Sequence, residues 1–445
     1  MDASSSDVHD VIGIGFGPSN LSLAVALEEL GQGPADHQMS ALFFERQDDF
    51  GWHRNMLLPS ATMQISFLKD LATFRNPTSK YSFVSYLHDA GRLARFVNNQ
   101  DFFPTRREFH QYLEWVAANF RHQVRYSHEV TAIRPVTGGA GPRDCLEVEV
   151  RHTADGSVRR VYARNVVVST GLASRMPDGV ASDERVWHSS AFLGQYRSVD
   201  PASLTSVAVV GAGQSAAEIT RFFHDELPHA QVYSVIPSYG YVLADDTPFA
   251  NQVFDPAAVD DYYFGTETTR QAFWDYHKNT NYSVVDDDVI RDLYRRCYDE
   301  DVSGQHRLHF LNLTRVCSVE RVGERRRLTL AQGDPKELDV DAVVFATGYH
   351  ALDPAGLLGD FDREFLRDAR GTHQVTRDYR LVAASAGTPG RVYLQGGTEH
   401  THGLTSSLLS NLAVRSGEIA DSILGYRLME KELERPADEP ALGLR

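Results

Sequence analysis

Two glycine-rich turns, each preceded by a short apolar run and followed by a helical pattern, constrain this chain most: VIGIGFGPSNLSLAVAL from Val11 and VAVVGAGQSAAEITRFF from Val207. A strand-to-helix turn without Cβ atoms lets the backbone approach a pyrophosphate, and the helix N-terminus behind it offers unpaired N–H groups and a favourable dipole. A single such turn can be no more than a tight turn packed on a strand, whereas two in one chain point to two dinucleotides. The first unit reads as a strand over Val8 to Ile14, a helix over Ser19 to Leu30 with Ser19 or Asn20 able to cap it, and a strand over Ala41 to Glu45. Glu45 at that strand tip is placed to accept hydrogen bonds from a ribose, the alternative being a solvated strand-end carboxylate.

The second unit continues into QVYSVIPS at Gln231 to Ser238, where no acid stands at the strand end and no arginine immediately follows. Ser238 and Tyr239 occupy that region, so the choice between NADPH and NADH stays open. VVVSTG at Val166 to Gly171 returns the chain to the first sheet, and DAVVFATGYH at Asp341 to His350 supplies a later buried strand. The fold class expected is α/β, with two Rossmann-like dinucleotide-binding domains, a small substrate-binding region and a discontinuous first domain. The boundaries expected are 1–200 for the first part, 201–340 for the nicotinamide domain with an inserted segment 241–310, 341–431 for the return, and a flexible tail at 432–445. Residues 50–110 lack a strand-helix period and are rich in aromatic, proline and polar residues, which suits a cofactor cover more than a core.

Composition narrows the class. The net charge of -16 in 445 residues argues against nucleic acid, whose binding relies on clustered Lys and Arg. No apolar run is long enough to span a bilayer and the first residues lack a basic and apolar leader pattern, so a cytoplasmic protein with no membrane partner is expected. Cys145, Cys297 and Cys317 form neither a CxxC pair nor an even set. A flavin and a nicotinamide in one chain imply hydride transfer to the flavin and onward passage of electrons. A disulfide acceptor needs paired cysteines and an iron-sulfur acceptor a cysteine cluster or a partner protein, whereas molecular oxygen needs no protein ligand. A monooxygenase or oxidase therefore fits the inventory best.

From about Asp7 to Leu424 the chain resembles the microbial L-ornithine N-hydroxylases, the N-hydroxylating branch of the class B flavin monooxygenases. The resemblance rests on GFGPSNL at Gly15 to Leu21, with Pro18 where a common fingerprint carries glycine, and on MQISFLKDLATFRNPTSKYSF at Met63 to Phe83. It rests also on Asp341, Phe345, Ala346 to Tyr349 and Pro354, and on GTEHTHGLTSSLLSNLAVR at Gly397 to Arg415. It implies FAD, NADPH (NADH possible) and molecular oxygen as cosubstrate, hydroxylating the δ-amine of L-ornithine through a flavin C4a-hydroperoxide, for a siderophore or nonribosomal peptide. It also implies a homo-oligomer, a tetramer or a dimer. Hydroxylation of lysine or a diamine, and a non-oxygenating electron-transfer protein, are the other readings.

The resemblance carries roles to particular residues. Lys69 matches the lysine that binds the amino-acid carboxylate, Asn251 the residue that holds the amino-acid head, and Asn281 the asparagine that contacts NADP and the reacting amine. Ser410 approaches the substrate head. By residue type alone, Lys69 is a snorkelling surface lysine, Asn251 a turn former after Pro248 and Asn281 a loop cap. Gly13, Gly15, Gly17, Pro18, Glu45, Trp52, His53, Gln64 and Val130 fall to FAD. Ser407, Leu408 and Leu409 are expected to offer it helix-start N–H groups. Gly211, Gly213, Gln214, Ser215 and Ser238 fall to the nicotinamide nucleotide.

Overall fold

A computed structural model describes residues 8–136, 145–332 and 335–434 of the chain. The apolar run Val8–Ile14 is the centre of a seven-stranded sheet, paired in parallel with Ala41–Phe44 on one side and Val158–Val168 on the other. Val158–Val168 is long enough to serve two further neighbours: its first half pairs antiparallel with Leu146–His152, and its last residues pair in parallel with Arg391–Leu394. His128–Pro135 and Val124–Arg125 form the edges.

A second, five-stranded sheet is entirely parallel, in the order Leu308–Leu311, Gln231–Val235, Ser206–Val210, Ala342–Phe345, Val186–His188. Its strands are nearly continuous apolar runs because helices and a second layer cover both faces. That layer is an antiparallel three-stranded sheet over 315–340, whose Leu328, Leu330 and Val340 pack with Ala208, Val343 and Phe345.

This pairing moves the expected boundaries. Val186–His188, expected in the first domain, and Ala342–Phe345, expected at the return to it, both belong to the second sheet. The Asp341 carboxylate pins the latter by accepting from the backbone N–H of Thr205 and Ser206 at 2.7 and 2.9 Å. The first sheet resumes only at Arg391–Leu394. Leu172–Ser174 and Tyr349–Ala351 form a two-stranded ribbon where the chain passes between the sheets.

Residues 50–110 line the cavity in part, as a cofactor cover would, and also contribute core that their sequence did not suggest. Phe83, Tyr86 and Phe109 are buried against Tyr112 and the first Rossmann-type helix, and the Phe83 and Phe109 rings stack at 5.8 Å. The short helices Phe83–Asp89 and Leu93–Asn99 give no long period, so the aromatic residues that fill the interior look irregular in sequence. At the other end, Glu432 to Glu434 belong to the helix Leu412–Glu434, and the rest of the expected tail lies outside the described residues. No described helix is long and apolar enough to cross a membrane.

Candidate active site

A cavity of about 2730 Å³ is lined by both glycine turns, one from the mixed seven-stranded sheet and one from the parallel five-stranded sheet. At the first turn, Gly15 has φ +80° and a Cβ there would stand 2.5 Å from the Ser169 carbonyl oxygen, so only glycine fits. A Cβ at Gly13 would lie 2.3 Å from the Phe43 ring, so this glycine serves packing and does not line the cavity. Gly17 borders open space and is the N-cap of the helix Pro18–Leu30, with Pro18 in the first turn and no side chain capping it. The expected caps do something else: Asn20 donates to the Gly15 carbonyl at 2.7 Å, bracing the turn, and Ser19 lines the cavity. An uncapped helix start beside a space where a Cβ would stand meets the requirement of a pyrophosphate.

Glu45 lies on the cavity wall beside this turn and is 7% exposed, which excludes a freely solvated strand-end carboxylate. The Phe16 N–H donates to its Oε2 at 2.7 Å and the Gln47 N–H to its Oε1 at 2.9 Å, fixing a carboxylate with lone pairs left for a ribose. Val130, also buried, lines the cavity on the same side.

The second turn repeats the design. Gly211 has φ +149° with the Ala346 carbonyl oxygen 2.4 Å from the place of a Cβ, and Gly213 begins the helix Gln214–Glu226 without a side-chain cap. Ser215 lines the cavity. Gln214 is held at both ends: its Oε1 accepts from the Asp286 N–H at 2.9 Å and its Nε2 donates to Glu218 at 3.0 Å. Buried Glu218 also receives two bonds of 2.9 Å from Arg106, which joins the 50–110 segment to this helix. Ser238 does not line the cavity; its hydroxyl donates to the Gly240 carbonyl at 2.7 Å, and neighbouring Pro237 forms the wall.

Lys69, Asn251, Asn281 and Ser410 all line the cavity, although they come from four separate stretches of chain. The Lys69 ammonium sits 5.6 Å over the Phe254 ring. Burial lowers its pKa below the ordinary lysine value, against the pull of Asp255. Asn251 donates to the Asp246 carbonyl at 2.7 Å. Trp52 meets His53 edge-on at 4.9 Å and Phe109 at 6.0 Å. His53 has a left-handed φ of 49°. Its ring is accessible from the cavity, yet the surrounding protein desolvates it and, with Arg106 and His110, lowers its pKa to about 4, so it is neutral at pH 7.

One local expectation is corrected. Leu408 and Leu409 line the cavity but follow a 3-10 turn, Leu404–Ser407, and precede the long helix, which starts at Leu412. The Leu408 N–H is used by the Thr405 carbonyl at 3.2 Å, so this stretch is not a helix start; the Ser407 side chain lies outside the described residues. Arg415, 2% exposed, fixes the turn by donating to the carbonyls of Thr405 and Ser406 at 3.1 and 2.6 Å. Arg415, Phe254, Arg106 and Asp286 were not singled out in sequence. Only the DDD run at Asp286 to Asp288 carried a signal, that of a helix start.

The cavity thus presents two anion-accepting turns, a ribose-type acid, a lysine and a set of neutral amides. A family model described as L-lysine 6-monooxygenase/L-ornithine 5-monooxygenase matches residues 7–351. The chain is 40% identical to the L-ornithine N(5)-monooxygenase of Pseudomonas aeruginosa over 425 residues, 94% of each protein. It is likewise 40% identical to that of Burkholderia cepacia over 430 residues, 94% of this chain and 96% of the relative. Among solved structures, the ornithine N-hydroxylase of Kutzneria sp. 744, with reduced FAD, NADP+ and L-ornithine, is 58% identical and superposes with a TM-score of 0.90 over 95% of this chain and 100% of that one. The chain belongs to the L-lysine 6-monooxygenase/L-ornithine 5-monooxygenase family.

Proposed function

We propose that the protein is an L-ornithine monooxygenase that uses FAD, NADPH and molecular oxygen to hydroxylate the δ-amine, and that Lys69, Asn251, Asn281 and Ser410 form its substrate site. The observation that carries the reading is the convergence of Lys69, Asn251 and Asn281 on one cavity with both glycine turns. Bound FAD, reduced by the nicotinamide, supplies the activation of oxygen. Gly15, Gly17 and Glu45 would hold it at the first turn, and Gly211, Gly213, Gln214 and Ser215 would hold the nicotinamide nucleotide at the second.

The chain's own residues supply selection and orientation. A half-buried ammonium at Lys69 is the complement of an α-carboxylate, and its partial desolvation strengthens that pairing. With the carboxylate held there, the length of the side chain determines where the amine arrives, which separates ornithine from lysine. A diamine lacks the group that Lys69 binds. The reacting amine must carry a free lone pair. Asn281 Oδ1 can accept a hydrogen bond from it without returning a proton. Neutral His53 and the amides of Gln64 and Asn281 add no strong acid to the cavity. We place the reaction in the cytoplasm and in a homo-oligomer, tetramer or dimer, whose size sedimentation would measure.

The test is to incubate FAD-loaded protein with NADPH or NADH and with ornithine, lysine or a diamine, and to measure hydroxylated amine separately from hydrogen peroxide. Hydroxyornithine as the main product is expected. Oxygen consumption without any hydroxylated amine would overturn the reading.

A further inference from the structure

Asp286 stands at the N-cap of the helix Asp287–Ser303 in extended conformation, φ -65° and ψ 146°, where an aspartate ordinarily accepts a bond from its own helix. It makes no such bond. Thr105, Thr247 and Thr266 cap three other helices with their side chains, whereas Asp255, at the start of the helix Pro256–Tyr263, like Asp286 does not. The Asp286 carboxylate instead meets Gln64 at the cavity wall, where Gln64 Nε2 donates to its Oδ1 at 3.0 Å. Its backbone N–H donates to Gln214 at 2.9 Å. One residue therefore touches the 50–110 segment through its side chain and the second glycine turn through its backbone. The side chain thus forgoes its helix and is engaged by Gln64 instead.

The chemistry of the bond fixes a direction. A carboxylate has no hydrogen to give, so the Gln64 amide must turn its NH2 toward Asp286, leaving Oε1 as the end available to the cavity that Gln64 lines. Burial, with Asp288, Glu218 and Asp246 nearby, pushes the Asp286 carboxyl above its usual range, and the Gln64 bond pulls it back. The charged form is costly here and is held by that bond.

We propose that Asp286 is a positioning residue, orienting the Gln64 amide toward the reacting groups and tying the nicotinamide turn to the flavin side of the cavity. The proposal rests on the cofactor assignment above. The discriminating variant is Asp286→Ser, because serine caps a helix well but is too short to reach Gln64. Asp286→Asn keeps an acceptor but can also present its NH2. The readouts are the NADP+ dissociation constant, titrated through the absorbance of bound flavin, the melting temperature, and peroxide formed per NADPH oxidised.

Asp286→Ser is expected to keep the melting temperature while raising both the NADP+ dissociation constant and the peroxide fraction about fivefold, with Asp286→Asn between it and wild type. Unchanged NADP+ affinity and coupling in Asp286→Ser, whatever its melting temperature, would overturn the proposal and leave Asp286 a helix start. Failure of the wild type to hydroxylate any amine would instead defeat the functional reading, while the NADP+ titration would still report on Asp286.

Discussion

The two glycine turns share one plan and differ at one structurally equivalent position. In each, the glycine after the first strand has positive φ and lies under the carbonyl that ends a neighbouring strand, Ser169 for Gly15 and Ala346 for Gly211. In each, its N–H donates to the last residue of the second strand, Gly15 to Phe44 at 2.8 Å and Gly211 to Val235 at 3.1 Å. That pairing makes Glu45 and Ile236 counterparts. Glu45 is a carboxylate held by two backbone N–H groups, whereas Ile236 is fully buried. On the proposed cofactor assignment, the first turn would bind a ribose through its hydroxyls. The second offers no acid to bind a ribose, and also none to repel a 2'-phosphate.

The sharpest way to break the comparison is to block each turn in turn. Gly15→Val faces both a forbidden φ and the Ser169 carbonyl, and should yield protein with essentially no bound flavin, read as the flavin to protein ratio. Gly211→Val should keep flavin but lose NADPH-driven flavin reduction, followed at 450 nm or so by stopped flow. Loss of flavin from both variants would mean that the turns do not act separately. Lys69→Ala tests the space between them. It removes a charge-assisted partner of the carboxylate and should raise the ornithine KM about 100-fold, with NADP+ affinity unchanged and little effect on any diamine turnover. An equal loss for ornithine and a diamine would place Lys69 outside the substrate head site.

What the sequence disclosed follows from which interactions are local. Gly15 and Gly211 were legible because the backbone at such a turn admits nothing else, and the apolar runs around them because a buried parallel strand needs both faces covered. The residues of Ala342–Phe345 read as a buried strand equally well in either sheet, and only their pairing with Ser206–Val210 decides between the two. The DDD run signals a helix start, but nothing local says that the first aspartate turns away from its helix toward a glutamine 222 residues earlier. Lys69, Asn251 and Asn281 became candidates only by resemblance, since each residue type has a commoner role on a surface, in a turn or at a cap. Phe254 and Arg415 act by placing other groups, and that role leaves no mark in the chain.

A smaller effect sharpens the acidic side of the comparison. Glu45→Gln retains an oxygen for the Phe16 N–H but loses the charge, and its NH2 faces the Gln47 N–H or the ribose with the wrong polarity. FAD should dissociate about tenfold more readily, measured by flavin fluorescence on dilution, with NADP+ affinity unchanged. A tighter FAD complex would show that Glu45 serves the fold and not the cofactor.

The smallest effect concerns the side without an acid. Residues 236–241 contain no arginine or lysine, and the Ser238 hydroxyl is used by the Gly240 carbonyl, so this strand end neither repels nor grips a 2'-phosphate. Discrimination between NADPH and NADH should therefore be modest in the wild type. Ser238→Arg adds a long cation next to Pro237, which does line the cavity, and gives up one short local bond. Its guanidinium can reach a phosphate that serine cannot, so the ratio of kcat/KM for NADPH over NADH should rise about fivefold, through the NADPH KM and not through flavin content or ornithine KM. If the wild type already discriminates strongly, or if the variant changes both nucleotides alike, the 2'-phosphate is held by groups on another element, and the lack of a charge after Val235 has no bearing on nucleotide choice.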